Sequence, residues 1–137
     1  MKYMLDTDIC ITLIRQKPAA LLRRLTSREP GQVGISAITL AELVHGVEKS
    51  AQPEHNLSAL QQFLLPLELA DFDQQAALAY GKIRKSLERD GRVIGSMDML
   101  IAAHAIGLGA TLVTNNEGEF KRIDGLVLDN WIKKPDG

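Results

Sequence analysis

The chain has 137 residues, the length of one domain, with little room for a second. Hydrophobic residues make up 45% of it and charged residues 24%, which excludes a disordered or fibrous chain. Sixteen basic and seventeen acidic residues give a formal net charge of −1, so a broad basic surface for duplex DNA is not expected. The single cysteine, Cys10, excludes an internal disulfide framework and a cysteine-rich zinc site.

The N-terminus lacks the pattern of a signal peptide, because the apolar run after Lys2 ends at Asp6. No segment approaches the roughly 20 apolar residues that a membrane-spanning helix needs. We therefore expect a cytoplasmic protein that forms one domain over residues 1–137. The polar end, about residues 134–137, is expected to be a flexible tail.

Short apolar runs and amphipathic stretches alternate along the chain. In chain order they predict a strand at 3–5, amphipathic stretches at 9–14 and 18–25, a strand at 33–35, helices at 37–48 and 54–65, a strand at 67–70, helices at 74–90 and 96–108, and strands at 111–113 and 126–128. Ser36 suits an N-cap, and Gly91 and Gly109 are stop signals. Strands separated by helices indicate βαβ units and therefore a parallel sheet.

Acidic and amide side chains interrupt several of these apolar segments. They are Asp6 and Asp8 after the first strand, Glu42 and Asp98 within apolar helices, and Asn115, Asn116 and Glu119 after the strand at 111–113. In a parallel sheet the carboxyl ends of the strands share one edge, where ligands bind. Carboxylates gathered there repel one another unless a cation is present, and an all-oxygen set favours Mg²⁺ or Mn²⁺ over zinc.

Each of these residues also has an ordinary structural explanation. Asp6 suits the N-cap of the helix that follows it, and Glu42 suits the solvent edge of its helix. Asp98 would favour the N-terminal helix dipole, and Asn115 and Asn116 are typical of a turn. The hypothesis of a metal site therefore depends on the whole set.

Two groups of basic residues are candidate contacts for phosphates. The first is a stripe opposite the apolar face of the helix at 74–90, and the second follows the amphipathic stretch at 18–25. The stripe is Lys82, Lys85 and Arg89 with Arg92 beyond it, and the second group is Arg23, Arg24 and Arg28. A solvated helix face explains the same residues equally well.

Four segments, in this order, resemble PIN-domain ribonucleases and, more narrowly, the VapC toxins of bacterial toxin–antitoxin modules. They are Met4-Leu5-Asp6-Thr7-Asp8, the run from Ser36 to Leu43, the run from Gly95 to Ala105, and the run from Leu112 to Asn116 with Glu119 and Phe120. Each segment alone is weak evidence. Four in order over nearly the whole chain are fairly specific.

The resemblance implies a three-layer α/β/α sandwich around a mostly parallel sheet, and a metal-dependent endoribonuclease. Asp6, Glu42 and Asp98 would form the acidic core that binds Mg²⁺, or Mn²⁺ as a substitute, with Glu42 acting through water. Thr114 would support the site by hydrogen bonding. Metal-activated water would leave a 5′-phosphate and a 3′-hydroxyl.

The resemblance also implies partners: structured RNA as substrate, with transfer RNA prominent, and a small cognate antitoxin that blocks the site. Operator DNA would be reached only through the antitoxin, and the toxin would form a homodimer. This chain departs from the family at Asp8, where many members have Asn or Ser. It also has Asn116 and Glu119 where many members have a further Asp, so these two residues are candidate ligands and one metal is favoured over two.

Two other interpretations remain open on the sequence. Asp6-Thr7-Asp8 after a strand matches the nucleophile and acid of haloacid-dehalogenase-like phosphatases, although Glu42 and Asp98 would then lack a role. Alternatively, the chain is a catalytically inactive PIN-like module that only binds a partner.

Overall fold

A five-stranded sheet forms the centre of the computed structural model, which describes residues 1–133. The strands are β1 (Tyr3–Leu5), β2 (Val33–Ser36), β3 (Glu68–Ala70), β4 (Thr111–Val113) and β5 (Leu128–Asp129). Their order is β3-β2-β1-β4-β5, and all four pairings are parallel. The predicted parallel sheet is therefore confirmed, while the predicted tail at 134–137 lies outside the described residues.

Seven helices accompany the sheet in residues 1–133. They are α1 (Thr7–Arg15), α2 (Ala19–Thr26), α3 (Ala37–Glu48), α4 (Pro53–Leu64), α5 (Gln74–Arg89), α6 (Ser96–Leu108) and α7 (Glu117–Phe120). The short helix α7 was not predicted, because four residues with one buried side chain carry no periodicity. The last strand lies at Leu128–Asp129 rather than 126–128, where its backbone pairs with β4. No helix in this part of the chain is long and apolar enough to span a membrane.

Local side-chain bonds fix the starts of the helices that follow the central strands. The Asp6 carboxylate accepts a hydrogen bond from the backbone N of Ile9 at 2.8 Å, and thereby caps α1. Ser36 caps α3 as predicted, accepting from the backbone N of Ile38 at 3.0 Å. At the other end of α6, Gly109 adopts the left-handed conformation (φ 67°) that terminates the helix.

Hydrophobic residues fill both faces of the sheet, and this makes the three layers. Met4 in β1 and Leu112 in β4 pack with the buried faces of α5 and α6. The next residue along each strand, Leu5 and Val113, packs on the opposite side with α1, α3 and Trp131. The alternation confirms the predicted α/β/α sandwich and leaves the carboxyl ends of the strands as the accessible edge.

Glycine is required where β2 pairs with β3, and this requirement gives the first prediction. A β-carbon at Gly34 would collide with the backbone carbonyl of Glu68 and the side chain of Met1. We expect Gly34→Ala to lower the free energy of unfolding by about 2 kcal/mol or more. Gly81→Ala on α5, where an added β-carbon meets nothing within 4 Å, should raise it by up to about 1 kcal/mol. Chemical denaturation measures both, and equal stability of the two variants would contradict the packing.

Candidate active site

Asp6 and Thr114 stand at the carboxyl ends of the two adjacent strands β1 and β4. Both side chains are buried, with Asp6 only 3% exposed and Thr114 fully enclosed. A hydrogen bond from Thr114 stabilises the ionised Asp6 carboxylate, in addition to the bond from the backbone of Ile9. The end of β1 therefore places a buried carboxylate whose orientation is fixed by two hydrogen bonds, one from Thr114 and one from Ile9.

Glu42 reaches the same region from the second turn of α3. The Thr7 hydroxyl donates to Glu42 Oε1 at 2.6 Å and lies 3.2 Å from the buried hydroxyl of Thr39. Thr7 follows Asp6 directly, so α1 holds Glu42 beside the strand ends. Sequence reasoning missed the role of Thr7, although its position next to Asp6 in the first motif was a usable signal.

Asp98 and Glu119 form a second pair of carboxyl groups, and both lie beside Gly95. A β-carbon at Gly95 would lie 3.6 Å from Asp98 Oδ2 and 3.9 Å from Glu119 Oε1. The backbone N of Gly95 donates to Glu119 Oε1 at 3.1 Å, and the side-chain amide of Asn116 donates to Glu119 Oε2. Glu119 and Asn116, both candidate ligands from the sequence, thus meet at one place.

The pKa values show that these acids share one electrostatic environment. Burial raises the pKa of Asp6 to about 6, against the opposing hydrogen bonds from Thr114 and Ile9, and the charges on Asp8 and Glu42 add to the rise. Burial raises the pKa of Asp98 to about 7, with further contributions from its hydrogen bond to Glu119 and from the charges of Glu119, Asp6 and Glu42. The four acids form the acidic group: Asp6, Glu42, Asp98 and Glu119.

A cleft of about 810 Å³ opens over three members of the acidic group and extends along α1 and α3. Asp6, Glu42 and Asp98 line one part of it, together with the exposed Asp8. The rest includes what we call the basic end, which consists of Arg15, His45 and Lys49. Sequence reasoning did not select these three, although the spacing of Glu42, His45 and Lys49 placed them on one face of α3.

The predicted stripe on α5 is not part of this cleft. Lys82 lines a separate cavity of about 190 Å³ with Arg122, and Arg89 contacts Asp90 at 3.1 Å. Lys85 and Arg92 are exposed. Contact between this stripe and RNA stays a prediction.

The second basic group does not form an open phosphate-binding surface. The Arg24 guanidinium donates to the backbone carbonyl of Asn130 at 3.1 Å. The Arg28 guanidinium lies 4.6 Å from the centre of the Tyr3 ring and 5.3 Å from that of Trp131. Two of the three arginines therefore stabilise the fold, and only Arg23 is exposed.

The donor set at the strand ends suits a hard divalent cation. Within residues 1–133 no group of three His, Cys, Asp or Glu side chains is arranged to hold a metal ion. Mg²⁺ does not need such a group, because it is commonly held by one or two carboxylates and keeps several waters. The raised pKa values of Asp6 and Asp98 mark carboxyls whose ionised forms a cation would stabilise.

Comparison with known proteins identifies the family. The model of the PIN domain matches residues 3–126. The chain belongs to the PIN-domain family. It is 48% identical to ribonuclease VapC2 of Rickettsia felis, over 97% of this chain and 100% of that protein. It is 44% identical to the tRNA(fMet)-specific endonuclease VapC of Shigella flexneri, over 96% of this chain and 98% of that protein. This PIN domain is therefore of the VapC type.

A solved structure supports the same assignment at the level of the fold. The DNA-bound VapBC from Salmonella typhimurium superposes with a TM-score of 0.92 at 44% identity, covering 96% of this chain and 98% of that one. The phosphatase interpretation was wrong, because the PIN domain model matches residues 3–126. These residues include the Asp6-Thr7-Asp8 motif on which that interpretation depends. Moreover, Glu42 and Asp98, which that interpretation left without a role, line the same cleft as Asp6.

The burial of Asp6 predicts how stability depends on pH when no metal is present. The folded carboxyl keeps its proton up to about pH 6, whereas the ordinary value is 3.8. The folded state therefore binds the proton more tightly, and its stability should fall as pH rises from about 4 to 7. Asp6→Asn keeps an acceptor for the cap and removes the charge. In EDTA above pH 7 we expect it to be about 2 kcal/mol more stable than the wild type.

Denaturation curves at a series of pH values measure this effect. Asp124→Asn is the matched control, because it removes an exposed carboxylate that does not act on the pKa of Asp6. It should change the free energy of unfolding by less than about 0.5 kcal/mol. If the free energy of unfolding of Asp6→Asn depends on pH as that of the wild type does, then burial does not raise the pKa of Asp6.

Proposed function

We propose that the chain is a metal-dependent endoribonuclease toxin that cleaves structured RNA, with transfer RNA as the substrate class. The observation that supports it most directly is the convergence of Asp6, Glu42 and Asp98 on one cleft at the carboxyl ends of the strands. Unpaired buried acids destabilise a fold, so their gathering at an open cleft favours a catalytic use. The name of the Shigella flexneri relative, a tRNA(fMet)-specific endonuclease, supports the substrate class.

Mg²⁺, with Mn²⁺ as a substitute, would be held by Asp6 and Asp98, and by Glu42 through water. When bound, the cation supplies a water of lowered pKa and stabilises negative charge on a phosphoryl group. Hard oxygen donors and the absence of cysteine from the cleft lining fit this assignment. Glu119 and Asn116 are the remaining candidates for ligands.

The rest of the site orients the carboxylates. Thr114 and the backbone of Ile9 hold Asp6 and favour its ionised form. Thr7 fixes one oxygen of Glu42. Asn116 donates its amide to Glu119, so we assign it the role of orienting that carboxylate, which favours one metal over two.

A cognate antitoxin would neutralise this toxin, and operator DNA would be bound only through the antitoxin. The net charge of −1 supports that division, since the chain lacks the charge excess of a protein that binds duplex DNA alone. The resemblance to a DNA-bound VapBC complex supports it too. We further propose that the toxin is a homodimer and acts on RNA in the cytoplasm.

The first test of this function is the loss of charge at two acids. Asp6→Asn and Asp98→Asn should each lower RNA cleavage by about a thousandfold or more, because amides replace charges worth several kcal/mol to a bound cation. Circular dichroism should show that both variants fold. Asp71→Asn, at an exposed acid outside the cleft, should cleave like the wild type. Full cleavage by Asp6→Asn or Asp98→Asn would refute its role, and no cleavage by the wild type would favour the inactive binding module.

The second test is the chemistry of the products. EDTA should abolish cleavage of transfer RNA, and Mg²⁺ or Mn²⁺ should restore it. Mapping of the new ends should find a 5′-phosphate and a 3′-hydroxyl, because water and not the RNA 2′-hydroxyl is the nucleophile. A 2′-deoxy substitution at the scissile nucleotide should therefore still permit cleavage. Products that carry a 2′,3′-cyclic phosphate would overturn the mechanism.

A further inference from the structure

The basic end of the cleft has no role in the chemistry described so far. We propose that Arg15 and Lys49, with His45 between them, bind backbone phosphates of the RNA next to the phosphate that is cleaved. This inference rests on the proposed function, and it adds a substrate-binding subsite to it. The same cleft holds this subsite and three carboxylates of the acidic group.

Helix geometry aligns the subsite with the acidic group. Glu42, His45 and Lys49 follow one another at spacings of three and four residues, which places them along one face of α3 and its C-cap. Seven residues of helix separate Glu42 from Lys49 by about 10 Å along the axis. Arg15, the last residue of α1, approaches from the helix that packs beside α3. A short stretch of RNA bound along the cleft would therefore lie over the carboxylates at one end and contact the cations at the other.

The positive charges of Arg15 and Lys49 form no ion pair within the described residues. Among residues 1–133, neither Arg15 nor Lys49 has a carboxylate within 4.0 Å, and both side chains are exposed. RNA phosphates are repelled by the acidic group, so a substrate held there needs cations at the flanking positions. A cation at each helix C-terminus also favours the helix dipole. RNA binding must therefore be measured separately from stability.

Gly46 also lines the cleft, next to His45. It lies within α3 between His45 and Lys49, and a β-carbon there would meet nothing within 4 Å. Packing therefore does not require glycine, which weakens a helix relative to alanine. Gly46 lines both this cleft and the neighbouring apolar cavity between α1, α3 and α4.

The test measures RNA affinity against salt concentration, using unfractionated transfer RNA and Asp98→Asn as the cleavage-deficient parent with Mg²⁺ present. Adding Arg15→Ala and Lys49→Ala should lower the affinity at low salt by about tenfold. The slope of log affinity against log salt should flatten by about 1.4, since each phosphate contact contributes about 0.7. The matched control adds Lys2→Ala and Arg84→Ala, which also remove one lysine and one arginine, both exposed and outside the cleft. It should leave the slope unchanged.

The outcomes separate this inference from the function on which it rests. If the wild type cleaves RNA while the Arg15→Ala/Lys49→Ala pair binds with the parental affinity and slope, the subsite is refuted and the nuclease stands. If the wild type cleaves no RNA, the proposed function fails, and the subsite fails with it. Thermal melting checks that the pair and the control are folded. Should the alanine pair unfold, Arg15→Gln/Lys49→Gln keeps the length of the side chains and must give the same flattened slope.

Discussion

Repulsion among four carboxyl groups at one end of the sheet is the constraint on which the rest of the structure depends. Asp6, Glu42, Asp98 and Glu119 arrive there from four different elements, and burial raises the pKa of Asp6 and of Asp98. Three of the four are held by a neighbouring donor: Asp6 by the Thr114 hydroxyl, Glu42 by the Thr7 hydroxyl and Glu119 by the backbone of Gly95. These donors orient the oxygens but bring no positive charge, so the site is prepared for a cation that the chain itself does not supply.

The fold tolerates this repulsion because its stability is generated elsewhere. Alternate residues of β1 and β4 bury Met4 and Leu112 on one face of the sheet, and Leu5 and Val113 on the other. Two hydrophobic layers thus stabilise β1 and β4, and the acidic group lies near the carboxyl ends of these strands. The repulsion lowers the stability of the fold. It also provides a site in which a bound cation and a phosphate contact fixed carboxylates, as is typical of catalytic centres.

Much of the fold was accessible from the sequence, because its signals are local. Short apolar runs gave the strands, and Ser36 and Gly109 marked helix ends that the structure confirms. The convergence of Asp6, Glu42 and Asp98 followed from the rule that parallel strands end at one edge. The features that were not predicted depend on contacts between residues that are distant in the sequence. The basic end arises only when α1 packs on α3, and the contact of Arg28 with Tyr3 depends on folding that no local pattern reveals.

The most direct measurement of the central claim is the titration of the Asp6 and Asp98 carboxyl groups by carbon-detected NMR, with and without Mg²⁺. Without metal, the two groups should titrate with apparent pKa values near 6 and 7, well above the ordinary value of 3.8. Saturating Mg²⁺ should lower both, because the cation favours the ionised forms. Titration of both groups near 3.8 in the metal-free protein, or raised values that Mg²⁺ leaves unchanged, would contradict the account.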